Sequence, residues 1–248
     1  IDAAEKAIAI DPGIADPHVS LGWVRRTHEW NWSEAENQFK SAIELDANNV
    51  NALQWYALLL SNSGRHEEAI ASIEKAKEIA PITSIVWQNS ATVYFNSRQF
   101  DKALADLEKA GDVDAEYRLR MPMFRSSFYL QTGKPSEALR DIKPNLRPEE
   151  LDDDMTLFVL GAAHFDLNQP EKTRAYAAAL RAKGKSPRLA LALLYAHIGQ
   201  KEAALDELDR LIKMHSDKVV HFGTSPRFDP LRGEPRFEEM LKRINLAS

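Results

Sequence analysis

Side chains able to do acid–base or metal chemistry are scattered through this chain of 248 residues. Its seven histidines are His18, His28, His66, His164, His197, His215 and His221. None is paired as in the helical H-E-x-x-H arrangement that holds a catalytic zinc. His164 falls where two helices are expected to pack, which suits a buried neutral imidazole rather than a ligand. Glu149, Glu150, Asp152, Asp153 and Asp154 form one dense acidic run. The run lacks the alternating oxygens and central glycine of a calcium loop, and its carboxylates suit the positive end of a helix dipole. Cysteine is absent, so neither a disulfide framework nor a thiolate-held metal can form. The triplet Asn31-Trp32-Ser33 fits a glycosylation sequon, which matters only in a secreted protein. No glycine-rich phosphate loop is present. These residues predict no catalytic centre, no metal and no cofactor.

Composition narrows the partner. Lysine plus arginine is 32 against 37 aspartate plus glutamate, a formal charge of −5, whereas nucleic-acid binders usually carry a basic excess. The longest apolar run is far short of a membrane span. With 44% hydrophobic residues the chain can build a sizeable core. The absence of cysteine fits a reducing compartment, and a cytoplasmic location is expected.

The elements follow from the stretch Asn51 to Pro81. Leu53, Tyr56, Ala57 and Leu60 recur at the spacing of one helical face. Ser63-Gly64 breaks the pattern, then Ala69, Ile73 and Ala76 mark a second helix that Pro81 ends. The unit repeats. Ala35, Ala69 and Ala103 are 34 apart, as are Phe39, Ile73 and Leu107, and Ala42, Ala76 and Ala110. The spacing then loosens to 35, 35 and 31 at Ala138, Thr173 and Ala204. Gly133, Asn168 and Gly199 mark the later turns. Ser33 with Glu36 reads as a capping box, and Pro144 and Pro148 should shorten the second helix of the fourth repeat. Residues 1–14 read as a second helix lacking its first, which predicts a preceding domain and self-association through the helix's apolar stripe.

Two helices at a period of 34 resemble the tetratricopeptide repeat. The likeness covers nearly all of residues 1–215. Leu157, Leu160-Gly161, Ala177 and Leu180 carry it in the fifth repeat, and Tyr195, Ala204 and Leu208 in the sixth. Arg25 and His164 at the usual tyrosine, Arg188 at the first aromatic and Ala47 at the first proline depart from it. The resemblance implies an all-α fold, a right-handed α–α superhelix (solenoid) of helix pairs. The pairs cover about 15–49, 50–83, 84–117, 118–152, 153–184 and 185–215. A C-terminal tail and capping helix occupy 216–248. The phrase FDPLRGEPRFEEMLKRI and the EWNW turn are similar to tetratricopeptide regions of bacterial multidomain signalling proteins, which follow cyclase, kinase or winged-helix modules. That implies a non-enzymatic protein-interaction and scaffolding module. The alternative is a peptide- or ligand-sensing region controlling such an effector.

In such arrays the first helices face inward, and their non-core positions form the usual ligand surface. Here these are Trp23, Arg26, Asn51, Gln54, Trp55, Leu58, Asn62, Gln88, Asn89, Thr92, Asn96, Arg120, Phe124, Ser127 and Gln131. The set is rich in amides, which both donate and accept, and has no lysine for a carboxylate clamp. The expected partner is a protein or extended peptide, neutral or modestly acidic, including one from the same polypeptide; neither nucleic acid nor a membrane is expected. Phe158, Ala162, Leu189 and Leu193, the equivalent positions further on, are expected under the tail. Trp30 and Trp32 should pack their turn, Trp87 should be core, and Trp23 and Trp55 should stay partly exposed. Residues 226–246 should cap the last repeat.

Overall fold

The structure is a computed structural model and describes residues 1–142, 151, 153–184 and 189–246. Pro144, Pro148, Glu149, Glu150, Asp152 and Arg188 lie outside the described residues. The regular structure of the described residues is helical, with no strand. The chain divides into two compact units. The first comprises Ile1–Val113, Val220–Ser225 and Leu241–Ser248, and the second Asp114–Val219 and Pro226–Met240.

In the first unit α1 (Asp2–Ile10) precedes three antiparallel pairs: α2 (Ala15–Thr27) with α3 (Trp32–Leu45), α4 (Val50–Asn62) with α5 (His66–Ile79), and α6 (Ser84–Asn96) with α7 (Phe100–Val113). Alanine recurs where helices cross because a larger side chain would hold the backbones apart. Ala35, Phe39, Ala42, Ala69, Ile73, Ala76, Ala103, Leu107 and Ala110 are all buried. Gly22 lies so close under Phe39 that a Cβ there would stand 2.7 Å from the ring. No residue of α1 is buried, and Ile10 is 84% exposed.

The turn between paired helices places one residue in the left-handed region. Gly64 fills that place in the second repeat with φ 81°, and glycine pays no Cβ penalty there. Trp30 (φ 53°) and Arg98 (φ 61°) occupy the corresponding turns of the first and third repeats, where an L side chain is strained.

Caps differ from the expected box. Asn31 is the N-cap of α3 and its side chain accepts from the Glu34 amide at 3.2 Å. Asparagine outcompetes Ser33 because it stands one residue before the helix. Glu36 is engaged elsewhere. Its carboxylate accepts from Arg65 at 2.7 Å, Lys40 at 2.8 Å and the Tyr56 hydroxyl at 3.0 Å, tying α3 to α4 and α5.

The second unit pairs α8 (Ala115–Gln131) with α9 (Pro135–Asp141), α10 (Asp154–Asp166) with α11 (Pro170–Ala182), and α12 (Leu189–His197) with α13 (Lys201–Lys213). Asp153 of the acidic run caps α10, accepting from the Thr156 amide at 2.6 Å. His164 is buried, its ring stacked on Tyr176 at 5.6 Å and its Nδ1 3.0 Å from Gln169 Oε1. Burial pushes its pKa down. Among the described residues no helix is long and apolar enough to cross a membrane, and no three acidic or histidine side chains converge as a metal-binding group.

The tail divides its packing. Its 3-10 turn Pro226–Leu231 packs on α12, and Phe228, Leu231 and Phe237 are buried in the second unit. Helix α14 (Pro235–Arg243) is fastened to α13 by Arg236, which pairs with Glu202 at 2.6 Å and Asp206 at 2.9 Å. Lys201 pairs with Glu234 at 2.5 Å. Residues 220–225 and 241–246, by contrast, belong to the first unit. The segment 226–246, expected to cap the last repeat, is therefore divided, with 226–240 in the second unit and 241–246 in the first. From Leu241 onward the segment serves the first repeat, because two tryptophans there offer a hydrogen bond and an apolar bed.

Candidate peptide-binding groove

In the first unit α2, α4 and α6 lie side by side, so the period of the sequence aligns equivalent positions into rows. One row is aromatic. Trp23 and Trp55 are both half-buried, with ring centroids 4.6 Å apart at 41°. The Arg26 guanidinium sits 5.4 Å from the Trp23 centroid and is only 2% exposed. Its Nε has no hydrogen-bond partner among the described residues. Burial pushes this guanidinium down to about 10. Leu58 is buried beside them in sequence, 8% exposed.

The amides form inter-repeat bridges. Gln54, 2% exposed, donates to Asn51 Oδ1 at 2.8 Å and accepts from Asn89 Nδ2 at 2.8 Å. Asn96, also 2% exposed, donates to Ser61 Oγ at 3.1 Å and to Asn62 Oδ1 at 3.4 Å. Both links span 35 residues, one repeat plus a residue. Gln88 donates to Ser84 Oγ at 2.9 Å, and the Thr92 hydroxyl donates to the Gln88 carbonyl at 3.1 Å. Of the amides in this unit Asn51 is exposed, Gln88 and Asn89 are half-buried, and Gln54, Asn62 and Asn96 are buried.

Trp87 is half-buried rather than core. Its Nε1 donates to the Pro81 carbonyl at 2.8 Å, and Lys77 Nζ stands 4.6 Å over its ring. The indole hydrogen bond holds the ring at the helix entrance, where an exposed carbonyl is available. Trp30 and Trp32 are buried. Trp32 Nε1 donates to the Ile244 carbonyl at 2.7 Å, and Asn245 Nδ2 donates to the Trp30 carbonyl at 3.2 Å.

In the second unit Phe124 stacks on Tyr117 at 5.8 Å, Arg120 is exposed with its guanidinium 6.0 Å from the same ring, and Gln131 is half-buried. Ser127 is 1% exposed and accepts from Arg227 of the tail, Nε at 2.9 Å and Nη2 at 2.8 Å. Burial pushes the Arg227 guanidinium down to about 10. Phe158, Ala162 and Leu193 are buried, and Leu189 is half-buried.

Residues 39–71 and 85–117 each match a family model described as tetratricopeptide repeat. These two segments are tetratricopeptide repeats. A tetratricopeptide repeat protein from Parabacteroides merdae superposes with a TM-score of 0.70 at 17% identity, covering 98% of this chain and 90% of that one. PilW, a type IV pilus biogenesis factor, gives 0.62 at 15% identity over 80% of this chain and 92% of its own. By sequence, the type IV pilus assembly protein PilF of Pseudomonas aeruginosa is 30% identical over 107 residues. That alignment spans 42% of this chain and 42% of the relative's length. Tetratricopeptide solenoids present extended binding surfaces.

Ser61, Arg98, Gly223 and Thr224, which the sequence analysis did not select, also meet on the first unit. The signal for Ser61 was present, since it stands 35 residues before Asn96. Arg98 was marked too, one period of 34 after Gly64, whereas nothing in the periodicity marks Gly223 and Thr224.

Proposed function

We propose that this tetratricopeptide array is a non-enzymatic protein-interaction module whose first unit holds an extended peptide bearing a carboxylate. The observation that carries the reading is the half-open Trp23–Trp55 pair beside Arg26, a buried guanidinium whose Nε is left without an acceptor. Burying a cationic group with one donor unsatisfied is costly, and a carboxylate brought by a partner to the neighbouring tryptophan pair would offset its charge. Aromatic faces add apolar contact, and the flanking Asn51 and Asn89 can pair with a peptide backbone.

The setting we propose is the regulatory region of a larger bacterial signalling protein in the cytoplasm. What supports it is that EWNW and FDPLRGEPRFEEMLKRI, the two phrases behind that resemblance, meet as one feature through Trp32 and Ile244. A second reading, favoured by the partial identity with PilF, is an assembly factor acting at the cell envelope. Fractionation of the natural gene product separates the two settings.

The groove is tested by selecting binders from a displayed library of random peptides. Enriched peptides should carry aspartate or glutamate. Trp23→Ala and Arg26→Met should each weaken their binding by about tenfold or more, with little change in melting temperature for Trp23→Ala. Failure to enrich any peptide, or binding indifferent to both substitutions, would overturn the reading.

A further inference from the structure

The tail's first segment lies on the first unit like a bound peptide. Phe222 is fully buried. The backbone at Gly223 approaches α4 so closely that a Cβ would stand 2.2 Å from the Asn62 carbonyl oxygen. The Thr224 hydroxyl donates to the Ser61 carbonyl at 2.7 Å. Arg98 Nη1 donates to the Thr224 carbonyl at 2.7 Å and to the Asn96 carbonyl at 2.6 Å. Four features of the segment are thus read: an aromatic ring, the absence of a side chain, a hydroxyl and a main-chain carbonyl.

The receiving side is specialised as well. Arg98 holds a left-handed backbone at a turn position that other repeats give to Gly64, Gly133 and Gly199. Strain of this kind persists where surrounding contacts over-determine it and clusters at ligand clamps. Trp30, strained in the same way, offers its carbonyl to Asn245 of the tail.

We propose that residues 222–225, a turn between two 3-10 helices, are an internal ligand of the first unit, and that a partner protein displaces them with a turn-forming segment in which glycine stands between an aromatic and a hydroxyl residue. The inference rests on the reading that the first unit takes a peptide, yet it uses other residues, Ser61, Asn62, Asn96 and Arg98 rather than Trp23, Arg26 and Trp55. A tethered ligand acts at an effective concentration of order millimolar. An outside segment therefore binds with its affinity reduced by the fraction of molecules whose site is open.

The test titrates a fluorescent synthetic peptide spanning His221 to Phe228 into the full chain and into Gly223→Ala, read by anisotropy. Hydrogen exchange over 220–225 reports release of the tail. Gly223→Ala should raise that exchange and bind the peptide about tenfold more tightly than the parent. A peptide with alanine in place of its glycine should not bind. Should Gly223→Ala fail to fold, Thr224→Val removes the hydroxyl alone and should shift both readouts in the same direction by less. Unchanged exchange in whichever variant folds, or no peptide binding once exchange has risen, would overturn the proposal. So would a doubled mass by light scattering, which would mean that two copies trade tails. Peptides lost with Trp23→Ala but no binding of the tail peptide would sink this inference and leave the groove reading standing.

Discussion

Glu36 shows how one side chain can couple three helices. Burial alone would raise its pKa, but the hydrogen bonds from Arg65, Lys40 and Tyr56 and the charge of Arg65 more than reverse that, to about 2. An unfolded glutamate titrates near 4.3. The folded value is the lower one, so the stabilisation is fully present above about pH 4.3 and drains away as pH falls towards about 2. Glu36→Gln should abolish that contribution, at most about 3 kcal/mol. Urea midpoints measured between about pH 6 and pH 3 should then fall less steeply in the variant than in the parent. Identical slopes would show that the three contacts do not hold the carboxylate in solution. Nothing in the pattern of apolar residues singles out Glu36. A period identifies faces, while an ion network depends on which long side chains meet across them.

At the scale of the helix, the repeats are joined by polar bridges as well as by alanine and phenylalanine. Asn96 illustrates the difference between reading a face and reading its contacts. Its position among the inward residues is legible from the 34-residue period. Its burial to 2% exposure against Ser61 and Asn62 is not, because a period identifies a face and not which polar side chains meet across it. Asn96→Ala should leave Ser61 and Asn62 short of a donor and cost roughly 1–3 kcal/mol, read as a lower denaturation midpoint at unchanged m-value. A neutral substitution would mean that the amide is solvated after all. The helix pairs themselves were the most legible part. Small residues at 35, 42, 69, 76, 103 and 110 leave no other way for two helices to approach. The capping of α3 was misjudged by two residues because asparagine and serine both satisfy the same local rule.

For the molecule as a whole, the tail is part of both compact units. Phe228, Leu231 and Phe237 are buried with the second, and Phe222, Leu241 and Ile244 with the first. Each fully buried side chain of this size contributes about 1.5–3 kcal/mol. Truncation after Ser216 should lower the melting temperature by on the order of 10 °C and increase association by light scattering. A truncated protein that melts with the parent and stays monodisperse would show that the tail is dispensable. From sequence, residues 226–246 were expected over the last repeat, and the attachment of their end to the first repeat was hidden, since no periodicity links Trp32 to Ile244.

That division also sets a timetable for synthesis. Ordinary repeat arrays can fold from neighbour to neighbour, and the three helix pairs through Val113 could begin as soon as they leave the ribosome. Their unit is not complete, however, until residues 220–225 and 241–248 follow, after the intervening 114–219 have been made. Closing a loop of that length costs entropy that grows only slowly with its size, while contacts so distant in sequence slow folding. In the interval the bed of Trp30 and Trp32 and the carbonyls of Ser61 and Asn62 stand open. The growing chain therefore passes through a stage in which its first-made part can be met by another protein before its own end arrives.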